Sequence, residues 1–447
     1  MNSNEPVKVT LQTKPLGVWQ TAMAARRNVL EIVPRLALHQ PIVSGKVGMR
    51  FHMVMDPESL RHVLKDRVED FPKSITTKLI LNPAIGDSMF VAEGAHWRWQ
   101  RRAAAPAFAH RHVQALGPVM SAAAEASCRR FAAASGPVDV FEETVSATFD
   151  VISDVTFSGG TGFDRDAVHH MIDTYIAQTA KVSLLDIVGV PAWVPRPGRL
   201  FSGTKMAEMR RIADQAIASR AADAKTRTPP DLLDLLLDAA DPETGRTMTR
   251  TELRDNLLTF IVAGHETTAL TLAWALYLCA FDPTVQEAAA SEAQSVLGDR
   301  IATAEDMGKL PLVTRVVNEA LRLYPPAALL SRTALVADRL CGREILPGDL
   351  VILPFYALHR NRLLWDRPDA FDPSRFMTPP DRYAFLPFGA GPRICIGASF
   401  ALQEAVIILA TLLARFRFAA IPGRDPEPRM ILTLRPHGGV WLNVHRR

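Results

Sequence analysis

The sequence predicts a mainly α-helical fold with a small β region. Apolar residues recur at helical spacing through most of the chain, whereas alternating patterns are confined to two short regions, residues 41–55 and 331–354. One helical stretch begins at the capping box Thr249-x-x-Glu252 and meets no stop signal before Asp282-Pro283. A helix of that extent would be about 48 Å long, which is enough to cross a whole domain. We therefore expect the other elements to be arranged around it.

The composition is that of a globular chain with a large core. Of the 447 residues, 48% are hydrophobic and 22% are charged, so disorder is not expected. The net charge of +4 is small and dispersed, and it gives no indication of a nucleic-acid partner. The four cysteines lie far apart without a CxxC pair, which argues against a disulfide framework, a zinc site or an iron–sulfur cluster. This cysteine usage favours a reducing, cytoplasmic setting.

The N-terminal lead, residues 1–15, is polar and lacks the apolar segment of a signal peptide. The longest apolar stretch, residues 257–281, carries His265 and Glu266 near its middle. We interpret it as a buried core helix, because ionisable side chains are costly inside a bilayer. We therefore expect a soluble protein without a membrane anchor, folded as a single domain over residues 1–447.

The first elements are predicted from short local signals. Residues 18–38 show the apolar spacing of an amphipathic helix, and residues 41–55 alternate around glycines in the manner of a β-hairpin. Asp56-Pro57 is a helix start, with an N-cap residue and a proline at the first helical position. Residues 71–93 contain two prolines and no clear period, so we expect a loop with a short helix there.

Most of the remaining chain is predicted to be helical. Helices are expected over residues 94–110, 113–134, 140–157, 163–182, 203–224, 284–297 and 310–323, with a Pro- and Gly-rich connector over residues 188–198. Residues 361–380 are proline-rich and irregular, and they lead directly to the most distinctive stretch of the chain.

That stretch is Phe388-Gly389-Ala390-Gly391-Pro392-Arg393-Ile394-Cys395-Ile396-Gly397. Its three glycines predict a tight loop whose backbone approaches another group closely. The sequence that follows is apolar and helical, so Cys395 precedes a helix N-terminus, where backbone N–H groups and the helix dipole stabilise a thiolate. A thiolate in such a loop suits an axial metal ligand. The alternative is a buried structural cysteine beside a turn.

A second unusual stretch, Ala263-Gly264-His265-Glu266-Thr267-Thr268, lies within the long helix. A glycine here costs about 1 kcal/mol relative to alanine, and the Thr267 hydroxyl can bond the carbonyl of Ala263, four residues earlier. A hydroxyl and a neighbouring acid beside a metal would make a proton-delivery device. The alternative is an ordinary buried helix with a polar kink.

These two stretches resemble the cytochrome P450 family. The pattern Phe-x-x-Gly-x-Arg-x-Cys-x-Gly is similar to its haem-ligand loop, and residues 263–268 are similar to the oxygen-activating segment of its central helix. The resemblance implies haem b held between the long helix and the helix after the loop, with Cys395 as the axial thiolate and only metal ligand. It implies that Glu266 and Thr267 are the catalytic acid and alcohol.

Three further residues resemble a structural triad of that family. Glu319 and Arg322 lie three residues apart on one helix face, a spacing more often found in solvated surface pairs. They match the family's Glu-x-x-Arg motif, and Arg375 matches its third member. The resemblance implies that these three residues hold the irregular segment behind the haem.

Other matches concern the haem itself and the substrate. Trp97, Arg101, Arg332 and Arg393 stand at positions that hold the haem propionates in the family, and Phe388 opens the cysteine loop. Taken singly, each arginine would be read as an exposed solubilising residue. The expected pocket walls, by family position, are Ser88, Met89, Phe90, Phe260, Ala263, Ala327, Leu329 and Leu432.

The resemblance implies a stand-alone, bacterial-type haem domain that inserts one oxygen atom from O2 into a hydrophobic small molecule. No flavin or nicotinamide motif is found in the sequence, so electrons are expected from a separate ferredoxin- or flavodoxin-type protein with its reductase. Two alternatives remain: a peroxide-driven peroxygenase, against which the Glu266-Thr267 pair argues, and a non-enzymatic haem sensor, which would not need that pair.

Overall fold

A computed structural model describes residues 5–157, 203–222 and 230–447 of the chain. In this part helices predominate and strands are short, which confirms the predicted fold class. The helix predicted over residues 163–182 and the connector over residues 188–198 lie outside the described residues.

The described helices, numbered in chain order, are α1 (Val18–Arg27), α2 (Pro57–Arg61), α3 (Ile75–Ile85), α4 (Gly94–Ala104), α5 (His110–Ala115), α6 (Gly117–Ala133), α7 (Val140–Phe157), α8 (Gly203–Ala222), α9 (Leu232–Leu237), α10 (Arg250–Phe281), α11 (Pro283–Leu297), α12 (Pro311–Leu323), α13 (Phe355–Leu358) and α14 (Ala398–Arg415). The strands are β1 (Ile42–Val47), β2 (Met49–Val54), β3 (Val138–Asp139), β4 (Leu330–Thr333), β5 (Asp338–Leu340), β6 (Arg343–Ile345), β7 (Leu350–Leu353), β8 (Phe416–Ala420), β9 (Glu427–Met430), β10 (Leu434–His437) and β11 (Trp441–Arg446).

The 32-residue helix α10 is the centre of the core. It begins at the predicted capping box, in which the Thr249 hydroxyl accepts from the Glu252 N–H and the Glu252 carboxylate accepts from the Thr249 N–H. From Thr268 to Ala280 every side chain is buried. Because α7, α8, α12 and α14 pack around it, this helix has no solvent-facing stripe in that stretch.

The strands form small sheets at the edge of the helical core. The largest has the order β1-β2-β7-β4, in which β2 and β7 are parallel and the other pairs are antiparallel. The hairpin of β1 and β2 was predicted, and it turns at Gly48 with φ of 68°. An isolated bridge between Lys73 and Arg332 joins the start of α3 to β4, which brings two distant parts of the sequence side by side.

The predicted helix over residues 18–38 is wrong in its second half. Helix α1 ends at Arg27, and the chain continues as two 3₁₀ turns, Val29–Ile32 and Arg35–Leu38. Asn28 interrupts the helix because its side chain bonds strand β9, donating to the Pro428 carbonyl and accepting from the Met430 N–H. A tertiary contact thus overrides the local helical period.

One described helix, α14, is long and apolar enough to cross a membrane, and α10 with α11 would pass the same test as a pair bent by 115°. Two thirds of the α14 window is buried inside the protein. An apolar helix that is buried in this way is typical of the core of a globular protein.

Candidate active site

The cysteine loop is held by its own backbone and by a close neighbour. The Cys395 N–H donates to the Phe388 carbonyl over 2.9 Å, which closes the loop. Gly391 adopts φ of 70°, and a Cβ there would lie 2.0 Å from the Leu64 carbonyl oxygen. Glycine is therefore required at this position. Helix α14 begins at Ala398, so the cysteine precedes a helix N-terminus as predicted.

The Cys395 side chain lies on the wall of a cavity and is exposed to it. Burial raises the pKa of its thiol, whereas the Gly397 N–H and the positive charge of Arg101 act in the opposite direction. Both of these groups would stabilise a thiolate once a metal displaces the proton. The local electrostatics therefore suit a metal-bound sulfur better than a free thiolate.

The cavity measures about 320 Å³ and lies between α10 and the cysteine loop. Apart from Phe260, the side from α10 presents small or hydroxyl-bearing residues: Thr259, Ala263, Gly264, Thr267, Thr268 and Thr271. The opposite side is formed by Phe388, Cys395, Ile396 and the start of α14. A flat group bound at the sulfur would thus face the threonines of α10.

Five of the eight predicted pocket residues line this cavity, namely Met89, Phe90, Phe260, Ala263 and Ala327. The other three lie elsewhere. Ser88 is completely buried and is hydrogen-bonded to the Thr259 hydroxyl at 2.7 Å, so Thr259 forms the wall at that point. Leu329 and Leu432 pack against the hydrophobic core.

Thr267 has the geometry expected from helical spacing. Its hydroxyl donates to the Ala263 carbonyl over 2.9 Å, and Thr271 repeats the arrangement one turn later by donating to the Thr267 carbonyl at 2.9 Å. Both residues line the cavity. Each hydroxyl therefore has its oxygen lone pairs left to receive a proton donor from the cavity side.

Glu266 is placed differently from the sequence prediction. It does not line the cavity but is buried, where its carboxylate accepts hydrogen bonds from Arg435 and from the Thr433 hydroxyl. Burial alone would raise the pKa of Glu266. The charge of Arg435 and the hydrogen bonds from Arg435 and Thr433 lower it by more than burial raises it, so the pKa lies below its ordinary value. As placed here, the carboxylate is ionised and faces β10.

A second buried acid, Glu404, lies on α14 and was not found from the sequence. Neither carboxylate oxygen has a hydrogen-bond partner of normal geometry among the described residues. Burial raises its pKa well above the ordinary value, and the nearby Thr268 hydroxyl offsets only part of the rise. Burial therefore favours the neutral form of Glu404, whereas Arg435 and Thr433 favour the ionised form of Glu266.

Four positively charged residues line one side of the cavity, and we call them the cavity cations: Lys73, Arg101, Arg332 and Arg393. Arg393 donates to the Ala92 carbonyl at 2.8 Å, forms an ion pair with Glu93 and stacks over the Trp97 ring at 4.3 Å. For Arg101 and Arg332, no residue in the described ranges accepts a side-chain hydrogen bond. Burial and the charge of Arg393 lower the pKa of Arg332 to about 10.

This charge balance tests whether haem fits the site. Four cations face the cavity, while Glu93 is the one carboxylate that approaches them among the described residues. Buried cations without partners are unfavourable, so the chain leaves room for a ligand with more than one negative charge. Haem carries two carboxylates and an iron that a cysteine thiolate can ligate. The residues present therefore fit haem.

Lys73 is the member of this group that sequence reasoning missed. It lies in the segment interpreted as a loop, and no local pattern marks it. Burial, followed by the charges of Arg332 and Arg393, lowers the pKa of Lys73 well below its ordinary value. Its proximity to Arg332 results from the bridge between α3 and β4, which a single sequence does not show.

Behind the cavity, Glu319, Arg322 and Arg375 form what we call the meander network. Arg322 binds Glu319 through two bonds of 2.6 and 2.8 Å, and both side chains are fully buried. Arg375 lies 3.4 Å from the same carboxylate. Arg322 also donates to three backbone carbonyls, those of His359, Pro368 and Ala370. The network thus fixes the irregular segment that precedes the cysteine loop.

Comparisons with known proteins show which family and fold this chain is similar to. The family model described as Cytochrome P450 matches residues 26–443. The chain is 33% identical to cyclooctatin synthase of Streptomyces melanosporofaciens over 427 residues, covering 93% of this chain and 91% of that protein. It is 32% identical to cyclooctat-9-en-7-ol 5-monooxygenase of the same organism, covering 90% and 87%. The crystal structure of the cytochrome P450DA haem domain aligns with a TM-score of 0.79 at 27% identity, covering 91% and 90%.

Proposed function

The chain belongs to the cytochrome P450 family, and we propose that it is a haem-thiolate monooxygenase that inserts one oxygen atom from O2 into a hydrophobic small molecule, by hydroxylation or epoxidation. The observation that carries this proposal is that the Cys395 sulfur and the Thr267 hydroxyl line the same cavity. A metal ligand and a proton-handling group thus face one cavity, as oxygen activation requires.

The cofactor proposed for this space is haem b. When bound, it supplies a thiolate-ligated iron that activates O2. Cys395 would be its protein ligand, Arg101 and Arg332 would pair with its carboxylates, and Trp97 with Arg393 would close the same edge. Phe388 lines the cavity beside the sulfur and would exclude water from it.

Protons would reach the reaction through Thr267. Its hydroxyl is fixed by the bond to Ala263, so its lone pairs would accept from a water molecule in a defined position. Glu266 remains the proposed acid, with the condition that its carboxylate leaves Arg435 and turns toward the cavity. Before that turn, the partly exposed Arg435 side chain, at 29%, links this carboxylate to the solvent side.

The substrate is proposed to be hydrophobic because most of the cavity wall is apolar or aromatic. The name of the relative cyclooctat-9-en-7-ol 5-monooxygenase describes oxygenation of an unsaturated alcohol. That name supports an alkene- or ring-containing substrate for this chain as well.

Electrons are proposed to come from a separate ferredoxin- or flavodoxin-type protein, itself reduced by a reductase. The elements around the cysteine loop carry exposed basic side chains, among them Lys65 and Arg111, whereas the exposed Arg98 pairs with Glu69. A basic surface suits an acidic electron-transfer protein and would speed its association at low salt. We further propose a cytoplasmic location and one haem domain over the chain.

The replacement Cys395→Ser tests the ligand assignment. It should remove the thiolate signature from the absorption spectrum of the reduced carbon monoxide complex, because sulfur donation causes that signature, and it should abolish turnover. Cys341→Ser is the matched control, since Cys341 is another exposed cysteine and does not line the cavity. A wild-type protein without the signature, or a Cys395 variant that keeps it, would contradict the assignment.

Thr267→Ala tests the reaction type. The variant should bind haem normally, since Thr267 makes no structural bond beyond its own helix. Product formed per electron pair should fall several-fold, with peroxide released instead. The matched control is Thr271→Ala, which removes the equivalent hydroxyl one turn further along the same wall. Unchanged coupling in Thr267→Ala would contradict the role of this hydroxyl.

Two other results would identify the alternatives. Turnover with peroxide that exceeds turnover with a reductase and O2 would indicate a peroxygenase. No turnover in either system, with haem fully bound, would indicate a sensor.

A further inference from the structure

We propose that two buried amide side chains, those of Gln100 and Asn256, are positioning residues that set the substrate specificity of the cavity. They bond the backbone of residues 86–90, and this segment carries the wall residues Met89 and Phe90. We call the two amides the amide clamp and residues 86–90 the wall segment. The inference rests on the proposed function, and it names residues that determine which substrates the same cavity accepts.

The wall segment has no regular secondary structure of its own. It lies between the end of α3 and the start of α4, outside any helix or strand. Met89 and Phe90 nevertheless line the cavity. Because no helix or sheet ladder holds this backbone, its position depends on the hydrogen bonds that it makes to other elements.

The amide clamp bonds the wall segment on both sides of Ser88. The side-chain oxygen of Asn256, on α10, accepts from the Met89 N–H over 3.0 Å. The side-chain nitrogen of Gln100, on α4, donates to the Asp87 carbonyl over 3.1 Å. The two amides also bond each other, since Asn256 donates to Gln100 over 2.7 Å. Both side chains are fully buried.

The partners of the amide clamp fix the orientation of both amides. Besides Gln100, Asn256 donates to the Glu252 carbonyl over 2.8 Å. A backbone N–H can only donate and a carbonyl can only accept, so Asn256 cannot turn over without losing two backbone bonds. Gln100 must then present its oxygen to Asn256 and its nitrogen to Asp87. An apolar side chain at either position would leave buried backbone groups unpaired, which is costly.

Helix α10 holds the wall segment at two further points. Asp255 accepts from the Asp87 N–H over 3.3 Å, and a Cβ on Gly86 would lie 1.9 Å from its carboxylate. The hydroxyl oxygens of Ser88 and Thr259 lie 2.7 Å apart. Asp255 and Thr259 are one helical turn apart, so the wall segment follows the surface of this helix closely.

These contacts explain how residues off the cavity wall can affect specificity. Neither amide of the clamp lines the cavity, and Ser88 is fully buried beside it. A wall that is held in place before binding contacts a ligand without a further cost of ordering, whereas a loose wall must be ordered when the ligand binds. Release of the wall segment should therefore weaken discrimination between ligands, although no wall atom has been removed.

The test is binding to the haem-loaded protein, measured as the shift of the haem spectrum. The probes are imidazole and 4-phenylimidazole, which both bind the iron through a ring nitrogen and differ by one phenyl group. The ratio of the imidazole Kd to the 4-phenylimidazole Kd measures how well the cavity receives the phenyl group, because the contribution of the iron cancels. The variants are Gln100→Met, Asn256→Leu and the milder Ser88→Ala.

Gln286→Met is the matched control for Gln100→Met. Gln286 is also buried, and it donates to the carbonyls of Cys279 and Phe418 over 2.8 Å each. Neither Gln286 nor these two partners line the cavity. Both substitutions remove a buried glutamine amide from backbone partners, so both should lower stability. The probe ratio should change only where the bonded backbone carries a wall of the cavity.

We expect a wild-type ratio well above one, because the phenyl group is buried among apolar side chains. The ratio should fall about fivefold in Gln100→Met and Asn256→Leu and about twofold in Ser88→Ala. It should keep its wild-type value in Gln286→Met. If Asn256→Leu fails to fold, Gln100→Met and Ser88→Ala decide the matter.

A second measurement separates positioning from a general loss of stability. In a protein that already carries Met89→Ala and Phe90→Ala, the change Asn256→Leu should not lower the ratio further, because the side chains that it positions are gone. An equal fall in that background, or in Gln286→Met, would assign the effect to stability and overturn the inference.

The remaining results also decide the matter. An unchanged ratio in all three clamp variants would overturn the inference and leave the proposed function intact. Loss of haem from Gln100→Met and Asn256→Leu, with an unchanged ratio in the protein that keeps haem, would assign the amides to cofactor binding instead. A wild-type ratio of one would show that this wall does not select ligands. No spectral shift with imidazole would contradict a haem site open to ligands, and the proposed function with it.

Discussion

The meander network and the cavity cations both contain buried arginine, but the two sets of charges differ in the partners that the protein supplies. In the meander network, Arg322 has a bidentate carboxylate partner and three backbone carbonyls. On the cavity wall, Arg332 is almost fully buried, and no described residue accepts a hydrogen bond from its side chain. A buried arginine thus has all its partners within the protein in the meander network, whereas on the cavity wall its partners are missing.

This difference separates structural from functional charge. A buried ion pair whose members satisfy each other holds two chain segments together, whatever else binds. A buried cation without a partner destabilises the protein unless a ligand supplies the missing charge. The position of the unpaired charges therefore indicates where an anionic ligand belongs, independently of any sequence motif.

The largest expected effect concerns the meander network. Glu319→Ala removes the carboxylate that Arg322 and Arg375 share, leaving the buried Arg322 and the partly buried Arg375 without a negative partner. The free energy of unfolding should fall by about 3–5 kcal/mol, as for other broken buried pairs. Thermal or denaturant unfolding of the haem-loaded protein measures this loss.

The chain offers a matched control in Glu208→Ala. Glu208 and Arg211 also lie three residues apart on a helix, with a bond of 2.8 Å, but both side chains are about half exposed. Water replaces the lost partner there, so no measurable change is expected. Equal losses from Glu319→Ala and Glu208→Ala would show that burial does not distinguish the two pairs.

The second prediction concerns pH. His359 belongs to the same region, is fully buried, and accepts from the Leu386 N–H at 2.9 Å. Burial, followed by the charges of Arg322 and Arg360, lowers its pKa from 6.5 to about 3. Between these values the unfolded chain binds the proton and the folded protein does not. The contribution of His359 to the free energy of unfolding is therefore fully present above pH 6.5. It falls with decreasing pH, by about 2 kcal/mol at pH 5.

Replacing His359 with glutamine should make the stability profile between pH 6.5 and pH 4 flatter, because the titrating group is gone. His437→Gln is the control, since His437 is exposed on β10. Denaturant unfolding at several pH values gives the comparison. An equally steep fall in the His359 variant would assign the acid sensitivity to other groups.

The sequence predicts those features whose signals are local. The capping box at Thr249 and the glycine pattern around Cys395 each lie within a few residues, and the structure has the helix and the loop they predict. The side of α10 that Thr267 occupies follows from helical spacing alone. The relation of Glu266 to Arg435 does not, because β10 meets α10 only in the folded chain.

The same reason explains why Lys73 and Glu404 were missed. Lysine and glutamate are usually solvated, and nothing in the surrounding residues says that these two are buried. Lys73 reaches the cavity because its backbone forms a bridge to Arg332. Glu404 is buried because α14 packs against α10. Charge balance within a cavity is a property of the fold, and pattern reading along the chain does not reach it.

The smallest expected effect on stability, and the sharpest test of the comparison, is Arg332→Met. The substitution removes a buried charge that has no partner in the described structure. The haem-free protein should therefore unfold at the same or a higher denaturant concentration, with a gain of about 1 kcal/mol. In contrast, Arg322→Met should destabilise the same haem-free protein, because the buried Glu319 loses its bidentate partner and keeps only Arg375 at 3.4 Å and the Asp372 N–H at 2.9 Å.

Haem retention should change in the opposite direction. Without the Arg332 charge, one haem carboxylate loses a charge-assisted bond, and haem should leave about tenfold faster. Transfer of haem to an excess of apomyoglobin measures this rate, and Arg211→Met controls for loss of an exposed arginine. If Arg332→Met destabilised the haem-free protein as much as Arg322→Met, the two regions would not differ in kind. A stabilised but haem-poor variant would establish Arg332 as a charge kept for the ligand.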